Sequence, residues 1–367
     1  MEKLNLNKFE ITNESIGRGA YGEVYIAYEK NNKNKKYAAK QIKFNKVNQN
    51  DQNQKAMFEN LNNEVSILLE YNNENLVHCY GLIPGNDELF IITEYCNGKD
   101  LNEIIKKWKE KTKKTSLPEK VIQKILKDIL NGLSCLHRTP MIIIHHDIKL
   151  QNILVDFEDE KDLNNLDLIK GTYKITDFGL SKYHPDENAE IGIAGTSTYW
   201  SPEIKKLILD KYRDGKHIEN ENEISILENP SVDIWAIGVL TYRLLNIDSY
   251  LFLSNDDYKN YHNAIIKISE IHYENMKNGI IEFDLKNSIS KELICFLDAA
   301  LKFNVNIRAS SEELEFFRFI TRPEEEFHYI NLNNYKQTLS EKYYKDEKVI
   351  ININEKSKLN VIDCFDE

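Results

Sequence analysis

The sequence predicts an α+β fold, in which a small β-rich unit with one helix is followed by a larger, mainly helical unit. Two observations lead to this prediction. Residues 9–94 contain five short segments rich in β-branched and aromatic residues, separated by Gly and Asn, and one segment with helical apolar spacing. After a junction near Cys96 to Lys99, helical spacing dominates. The chain has 367 residues, and at about 150 residues per domain this length suits a two-part molecule.

The β-rich unit begins near the N-terminus. Its strands are predicted at Phe9–Ser15, Val24–Tyr28, Tyr37–Ile42, Val77–Leu82 and Leu89–Glu94. The helix is predicted over Met57–Tyr71, where apolar residues recur three and four positions apart.

The helical unit begins with a basic segment, Lys106 to Lys114, whose alternation with acids indicates a solvated helix face. Ser116-Leu-Pro-Glu119 resembles a capping box with an early proline and predicts a helix through Leu136. Further helices are predicted at Ser231–Leu245, Asn263–Lys277 and Lys291–Phe303.

Composition excludes several classes of protein. Lys+Arg number 48 and Asp+Glu 59, a net charge of −11, and no basic stripe favours a nucleic-acid partner. No purely apolar segment, Met141 to Ile144 among them, approaches the roughly 20 residues of a membrane span. Five scattered cysteines favour a reducing compartment over disulfides or a zinc site, so we expect a cytoplasmic protein.

Gly17, Gly19 and Gly22 form a G-x-G-x-x-G segment. Glycines at this spacing allow the backbone to approach phosphate groups closely. A dinucleotide-binding fold uses the same pattern, but there the glycines open a helix. Here the chain continues as the strand Val24–Tyr28. This favours a glycine hairpin and argues against the dinucleotide-binding fold.

Lys40 ends an apolar strand and would be costly to bury without an anion. Glu64, on the following helix, and nucleotide phosphates are its candidate partners. A surface lysine is the less favoured interpretation.

The segment His145 to Asn152, with Asp177-Phe-Gly179 downstream, indicates the chemistry most strongly. Asp147 is suited to accept or orient the proton of a substrate hydroxyl, and Lys149 supplies positive charge for a γ-phosphate. Asn152 and Asp177 offer hard oxygen ligands for magnesium.

These motifs resemble those of the eukaryotic protein kinases over about residues 9–320. Ser201-Pro-Glu203 and Asp233-Ile-Trp-Ala-Ile-Gly238 match two further elements of that family, and Arg308 stands where the family pairs an arginine with the glutamate Glu203. The resemblance implies the two-lobed kinase fold. The N-lobe would span about residues 9–95, the C-lobe about 99–320, and residues 321–367 would form a tail of unknown role.

The resemblance also implies a site for ATP and Mg²⁺. The three glycines would cover the ATP phosphates, and Lys40, held by Glu64, would bind the α- and β-phosphates. Asp147 would be the catalytic base, Lys149 would steady the γ-phosphate, and Asn152 with Asp177 would hold magnesium. The residues implied around the nucleoside are Val24, Ala38 and Leu154 against adenine, Thr93 as gatekeeper, Glu94 and Cys96 with backbone groups for adenine, and Asp100 for the ribose. An apolar stack linking the lobes is implied for Leu68, Cys79, His145 and Phe178.

Lys149 and the segment Gly195-Thr-x-x-Tyr199 resemble the serine/threonine kinases, and Glu94 to Leu101 is similar to the autophagy-initiating kinases. The function implied is transfer of the ATP γ-phosphate to Ser or Thr hydroxyls of protein substrates. The alternative is a pseudokinase scaffold that binds nucleotide and partners without efficient transfer; the presence of Lys40 and of the three polar site residues above favours the active enzyme.

Two departures from the family pattern occur together. His146 replaces the usual arginine that grips an activation-segment phosphate, and Gly192 stands at the usual phosphate acceptor position. We therefore expect activation that does not depend on phosphorylation of this segment, over the interpretation that each change is idle.

Two further regions are unusual. Lys205 to Asn229 is a long charged insertion, interpreted as a solvated loop or, as the less favoured alternative, a docking platform. In the tail, Val349–Ile353 and Leu359–Phe365 are predicted strands that lie back on the kinase or pair with a partner. A regulatory partner for the insertion or the tail is a further hypothesis.

Overall fold

A five-stranded antiparallel sheet and a larger helical unit make up the computed structural model. The structure describes residues 8–19, 22–43, 65–67, 69–84, 88–138, 142–184, 196–214, 229–261, 265–284, 289–327, 329–330, 344–345 and 348–353. Within these residues, no helix is both long and apolar enough to cross a membrane.

The N-terminal sheet has the strand order β1-β2-β3-β5-β4, with every neighbouring pair antiparallel. Its strands are β1 (Phe9–Gly19), β2 (Gly22–Glu29), β3 (Asn32–Lys43), β4 (Cys79–Pro84) and β5 (Glu88–Glu94). All five predicted strands are confirmed. Residues 65–67 and 69–70 are helical, as predicted, and the rest of the predicted helix up to residue 64, with residue 68, lies outside the described residues.

The C-terminal unit is mainly helical. Its helices are α1 (Leu101–Thr112), α2 (Glu119–His137), α3 (Glu160–Asn165), α4 (Pro202–Asp214), α5 (Ser231–Leu245), α6 (Asn255–Tyr261), α7 (Ile265–Asn278), α8 (Lys291–Ala300), α9 (Ser311–Glu315) and α10 (Arg318–Thr321). The helices predicted at 231–245, 263–277 and 291–303 are confirmed as α5, α7 and α8, although α8 ends three residues early, at Ala300, and residues 263–264 lie outside the described residues. Helix α5 passes through the core, because residues 232–241 are all buried.

The capping box predicted at the start of α2 is wrong. The N-cap residue is Pro118, and it makes no side-chain cap hydrogen bond. The Glu119 carboxylate instead accepts hydrogen bonds from the Ser290 backbone N–H at 2.8 Å and the Ser290 hydroxyl at 2.5 Å. The carboxylate that local spacing assigned to its own helix thus ties α2 to the start of α8.

Short paired strands complete the helical unit. They are β6 (Ile142–Ile144) with β9 (Lys182–His184), β7 (Ile153–Asp156) with β8 (Thr172–Ile175), and β11 (Ile289–Ser290) with β12 (Tyr329–Ile330). β6 and β7 flank the segment 145–152, which we term the catalytic loop because the predicted base lies in it. These two ladders therefore hold both ends of that loop.

Part of the tail packs on the helical unit. A three-stranded sheet has the order β10-β14-β13, formed by β10 (Ile280–Asp284), β14 (Lys348–Asn352) and β13 (Tyr344–Lys345). Ile353 is fully buried, and its backbone N–H donates to Gly279 O at 2.8 Å. The predicted strand at 349–353 is confirmed and lies back on the protein itself. The strand predicted at 359–365 lies outside the described residues.

The insertion predicted as a solvated loop from Lys205 onward is wrong over its first ten residues. Residues 205–214 belong to α4, and Lys205, Leu207, Ile208 and Leu209 are buried. Residues 215–228 lie outside the described part of the chain.

Candidate active site

A buried aspartate of α5 accepts hydrogen bonds from the backbone of the catalytic loop. Asp233 accepts hydrogen bonds from the backbone N–H groups of His145 at 2.7 Å and of His146 at 2.9 Å, and His137 Nε2 lies 3.2 Å from the same carboxylate. Burial alone would raise the pKa of Asp233, but the hydrogen bond with His137 and the nearby histidines hold it below its ordinary value. The loop carries a left-handed residue, His146 with φ 64°, and Asp233 stabilises that conformation.

Asp147 is surrounded by hydrogen-bond donors. The Asn152 side-chain nitrogen donates to both the carbonyl oxygen and Oδ2 of Asp147 at 2.8 Å, and Lys149 Nζ donates to Oδ2 at 2.6 Å. The Thr196 backbone N–H donates to Oδ1 at 3.2 Å. Asp147 is 6% exposed, so its orientation is set by these donors rather than by water.

Asp177 lies at the edge of the cleft and meets the sheet. Its backbone is left-handed, with φ 68°, directly before the one-turn helix Phe178–Leu180. The ring of Phe178 packs edge-on against His145 at 5.1 Å, and both residues are fully buried. Lys40 Nζ lies 3.5 Å from Asp177 Oδ1, so a strand of the sheet and the helical unit contribute opposite charges to one place.

One face of the sheet lines the cleft. The register pairs Val24 with Lys40 and Ala38 with Thr93, which places all four residues on the same face. Val24, Ala38 and Thr93 are half-buried, and so is Leu154 on β7. Residues facing the other way from β3, such as Ala39, are fully buried. The apolar residues predicted around adenine are therefore partly exposed, and those of the sheet lie on the face that carries Lys40.

The glycine hairpin joins β1 to β2, and Gly19 pairs with Gly22. A Cβ at Gly22 would lie 1.9 Å from the backbone oxygen of Gln41, whereas one at Gly17 would meet nothing within 4 Å. Gly22 is thus required by the close approach of β2 to β3. At Gly17 the space is open, as a loop over a ligand requires.

Near the junction of the sheet and the helical unit, the side chains of Glu94 and Asp100 accept hydrogen bonds from the protein itself. The Glu94 carboxylate accepts hydrogen bonds from Lys174 Nζ at 2.8 Å and from the His78 N–H at 2.7 Å. Asp100 accepts from the Glu103 N–H at 3.0 Å and caps α1, and burial raises its pKa. Burial also raises the pKa of the Cys96 thiol. The roles predicted for Glu94 and Cys96 use their backbone groups, and these roles and that of Asp100 toward the ribose stay predictions.

The predicted magnesium ligands suit a hard cation. The Asn152 side-chain nitrogen is committed to Asp147, which leaves its side-chain oxygen for a metal. Among the described residues, no group of three or more His, Cys, Asp or Glu side chains could hold a metal ion. Two protein ligands such as Asn152 and Asp177 suffice for Mg²⁺, because substrate phosphates and water typically complete its coordination.

Some predicted residues lie outside the described chain: Glu64, Leu68, Gly192 and Gly195. The predicted pair of Glu203 and Arg308 is confirmed, with two nearly parallel contacts of 2.7 and 3.0 Å. Cys79 is 4% exposed, so this member of the predicted stack is buried.

Sequence analysis missed two lysines near the site. Lys174 pairs with Glu94. The available signal was the alternation of buried and half-buried residues along β8, the strand that carries Lys174. Lys205 is fully buried and donates a hydrogen bond to the Ser197 carbonyl. Burial lowers its pKa to about 7. No local pattern marks Lys205, since it stands in a charged segment.

A family match and three relatives show what the chain is similar to. The protein kinase domain matches residues 11–320. The serine/threonine-protein kinase ULK3 of Xenopus laevis is 30% identical over 235 residues, covering 64% of this chain and 41% of that protein. The MAP kinase kinase kinase mkh1 of Schizosaccharomyces pombe is 26% identical over 88% of this chain and 25% of its own length.

A third relative, the serine/threonine-protein kinase cds1 of Schizosaccharomyces pombe, is 30% identical over 85% of this chain and 58% of that protein. The chain therefore spans about a quarter to three-fifths of the length of these relatives.

Proposed function

Because the chain belongs to the protein kinase domain family, we propose that it is an ATP-dependent serine/threonine protein kinase. One observation carries the proposal. Asp147 is held by Lys149, Asn152 and Thr196, all within 3.3 Å. The Thr176 N–H donates to the Asn152 carbonyl at 3.0 Å, which brings the next residue, Asp177, with its partner Lys40 to the same loop. A base, a γ-phosphate cation, two metal ligands and a lysine for the other phosphates thus converge.

The chain's own residues position the transfer. Asp147 orients the acceptor hydroxyl and takes up its proton as the hydroxyl oxygen bonds to the γ-phosphorus. The bond from that phosphorus to the bridging oxygen of ADP breaks, and the electron pair leaves with ADP. Lys149, already 2.6 Å from Asp147, neutralises charge on the transferred group, and Lys40 holds the phosphates of ADP.

Magnesium, held by Asn152 and Asp177, would neutralise the phosphate oxygens and align them for transfer. The half-buried face formed by Val24, Ala38 and Leu154 would receive the adenine ring, with Thr93 beside it.

Thr196 supports serine or threonine as the acceptor. Its hydroxyl lies 3.0 Å from Lys149 Nζ and 3.3 Å from Asp147 Oδ1. These contacts bring the activation segment close to the base, which suits a short aliphatic hydroxyl better than a tyrosine ring. The names of the relatives ULK3 and cds1 agree with this substrate class.

A peptide-array assay with labelled ATP and Mg²⁺ tests the proposal. We expect phosphoserine or phosphothreonine in the product, and loss of nearly all transfer in Asp147→Asn and in Asp177→Asn. Asp147→Asn should still bind Mg·ATP, as measured by thermal shift. The matched control is Asp210→Asn, an exposed aspartate of α4, which should keep wild-type rates.

Two results contradict the proposal. Normal turnover in both site variants would remove the assigned mechanism, and predominant phosphotyrosine would remove the assigned acceptor. Binding of Mg·ATP by the wild type without transfer to any peptide or protein would indicate a pseudokinase scaffold.

We further propose that the activation segment is ordered without a phosphate. The contacts of Thr196 with Asp147 and Lys149 form in the unmodified chain, and His146 stands where the family usually has the arginine that grips the phosphate. Protein treated with phosphatase should retain most of its initial rate. A loss beyond tenfold, restored by rephosphorylation at Ser181, Thr196 or Ser197, would contradict this.

A further inference from the structure

A cavity of about 400 Å³ lies beside the catalytic loop, between α1 and the C-terminal end of α5. None of the residues assigned to phosphate transfer above lines it. Leu150 does line it, and this residue follows the base Asp147 by three positions, a span of at most about 11 Å of chain. The cavity is therefore within reach of a peptide whose hydroxyl lies at Asp147.

The walls of the cavity are basic. Of its ten lining residues four are cations, Lys106, Lys109, Lys113 and Arg243, and two are acids, Glu110 and Asp248. Lys109 pairs with Asp248, so the remaining charges are three cations against Glu110. This excess is local, because the whole chain carries a net charge of −11. Sequence analysis interpreted the same lysines as a solvated face, and the structure places them around a concave surface.

Arg243 is the most constrained of the cations. Its guanidinium lies 4.4 Å from the centre of the Tyr250 ring, which stacks on Tyr258 at 4.0 Å. Its Nε is buried and has no hydrogen-bond partner among the described residues. Burying a guanidinium nitrogen without an acceptor is costly, and an anion at the part of the Arg243 side chain that lines the cavity would offset this cost. The aromatic support fixes the planar group before a ligand arrives.

We propose that this cavity, termed the basic pocket, binds an anionic side chain of the protein substrate, within about five residues of the phosphorylated Ser or Thr at roughly 3.3 Å per residue. The inference rests on the proposed kinase function and deepens it. A carboxylate and a phosphate both offer the paired oxygens that a guanidinium binds. The substrate class is therefore acidic or already phosphorylated peptide segments.

The experiment measures kcat/KM for peptides with one Ser acceptor in a neutral background. Each of the five positions on either side carries in turn Ala, Glu, phosphoserine or Lys. We expect Glu or phosphoserine at one or two adjacent positions to raise kcat/KM about tenfold over Ala, as two or three charge-assisted contacts would. Lys there should lower it. Equal gains for both anions identify a carboxylate site, and a gain for phosphoserine alone identifies a phosphate site.

Charge reversal links the preference to the pocket. Lys106→Glu/Lys113→Glu should abolish or invert the ratio of kcat/KM between Glu and Ala peptides. The control, Lys107→Glu/Lys114→Glu, makes the same change in net charge at exposed residues that do not line the cavity and should keep the ratio. Arg243→Gln, checked for folding by thermal unfolding, should also lose the ratio.

A binding measurement separates this inference from the proposed function. Fluorescent versions of the same peptides with Ala at the acceptor position should bind the wild type about tenfold more tightly than Lys106→Glu/Lys113→Glu, and less tightly as salt rises. Anisotropy reports this even if no peptide is phosphorylated, a result that would defeat only the kinase proposal. Equal binding and equal kcat/KM for Glu and Ala peptides, or a ratio that survives the charge reversal, would overturn the basic pocket.

Discussion

Two ion pairs differ in length and in burial: one lies within the helical unit, and the other joins that unit to the sheet. Within the helical unit, Arg308 meets Glu203 through two contacts of 2.7 and 3.0 Å, with side chains 0% and 12% exposed. Between the sheet and the helical unit, Lys40 meets Asp177 at 3.5 Å, with side chains 16% and 40% exposed. The first pair fastens one unit to itself. The second pair is longer and more exposed to solvent.

The comparison predicts the largest loss of stability for Arg308→Ala. Arg308 also donates to the carbonyl oxygens of Ser231 and Lys302, so its removal takes the guanidinium partner from a largely buried carboxylate and one donor from each of two carbonyls. We expect the free energy of unfolding to fall by about 3–5 kcal/mol. Urea denaturation measures it.

The matched control is the exposed pair of Lys33 and Glu10, whose side chains are 69% and 52% exposed. Lys33→Ala should change the free energy of unfolding by less than about 1 kcal/mol. Similar losses in the two variants would show that burial does not distinguish these ion pairs.

A smaller effect is expected from Glu119, the buried carboxylate that joins α2 to α8. Burial raises its pKa from 4.5 to about 7, despite the opposing hydrogen bonds from Ser290. The folded state therefore binds more protons than the unfolded state between these pH values, and stability falls as pH rises through them. At about 1.4 kcal/mol per pH unit, the loss is at most about 3 kcal/mol.

Glu119→Gln should remove this loss. Between pH 5 and pH 8, the unfolding free energy of the wild type should fall relative to that of the variant. Glu160→Gln, at an exposed carboxylate of α3, is the control and should follow the wild type. If the difference in unfolding free energy between the wild type and Glu119→Gln is constant over this range, the raised pKa of Glu119 is contradicted.

The smallest change in stability is expected at the cleft. Lys40→Met should lower the free energy of unfolding by less than Arg308→Ala does, because its ion pair with Asp177 is longer and the aspartate is more exposed. It should nevertheless reduce transfer about 10²- to 10³-fold, since it removes a charge aimed at the phosphates. Lys43→Met, exposed on the same strand, serves as control for both measurements. Loss of stability beyond 2 kcal/mol (a large effect for one pair) would mean that Lys40 is structural.

The sequence predicted the sheet and the main helices well, because each is set by local periodicity. The five strands and α5 lie where alternation and helical spacing place them. The start of α2 was misread because Glu119, three residues after Ser116, finds its partner Ser290 across the fold. A contact over such a separation leaves no local pattern.

The candidate site was predictable to the extent that its residues are consecutive. Asp147, Lys149 and Asn152 lie within six positions and meet as expected. The contact of Thr196 with Asp147 and the anchoring of the loop by Asp233 join distant segments. Only the folded chain shows them. The basic pocket was missed for the same reason, since Arg243 and the lysines of α1 are separated by more than a hundred residues.

The strand β14 has a consequence for how copies of this protein behave toward one another. It pairs with β10 over five residue pairs and is flanked by β13, so the backbone groups of β10 on that side are used within the chain. An uncovered strand of that length offers unpaired N–H and C=O groups on which another chain can align. The region matched by the kinase family ends at residue 320, whereas this cover comes from residues 348–352. The segment that follows the matched region thus pairs with the edge of β10 that would otherwise be open to another strand.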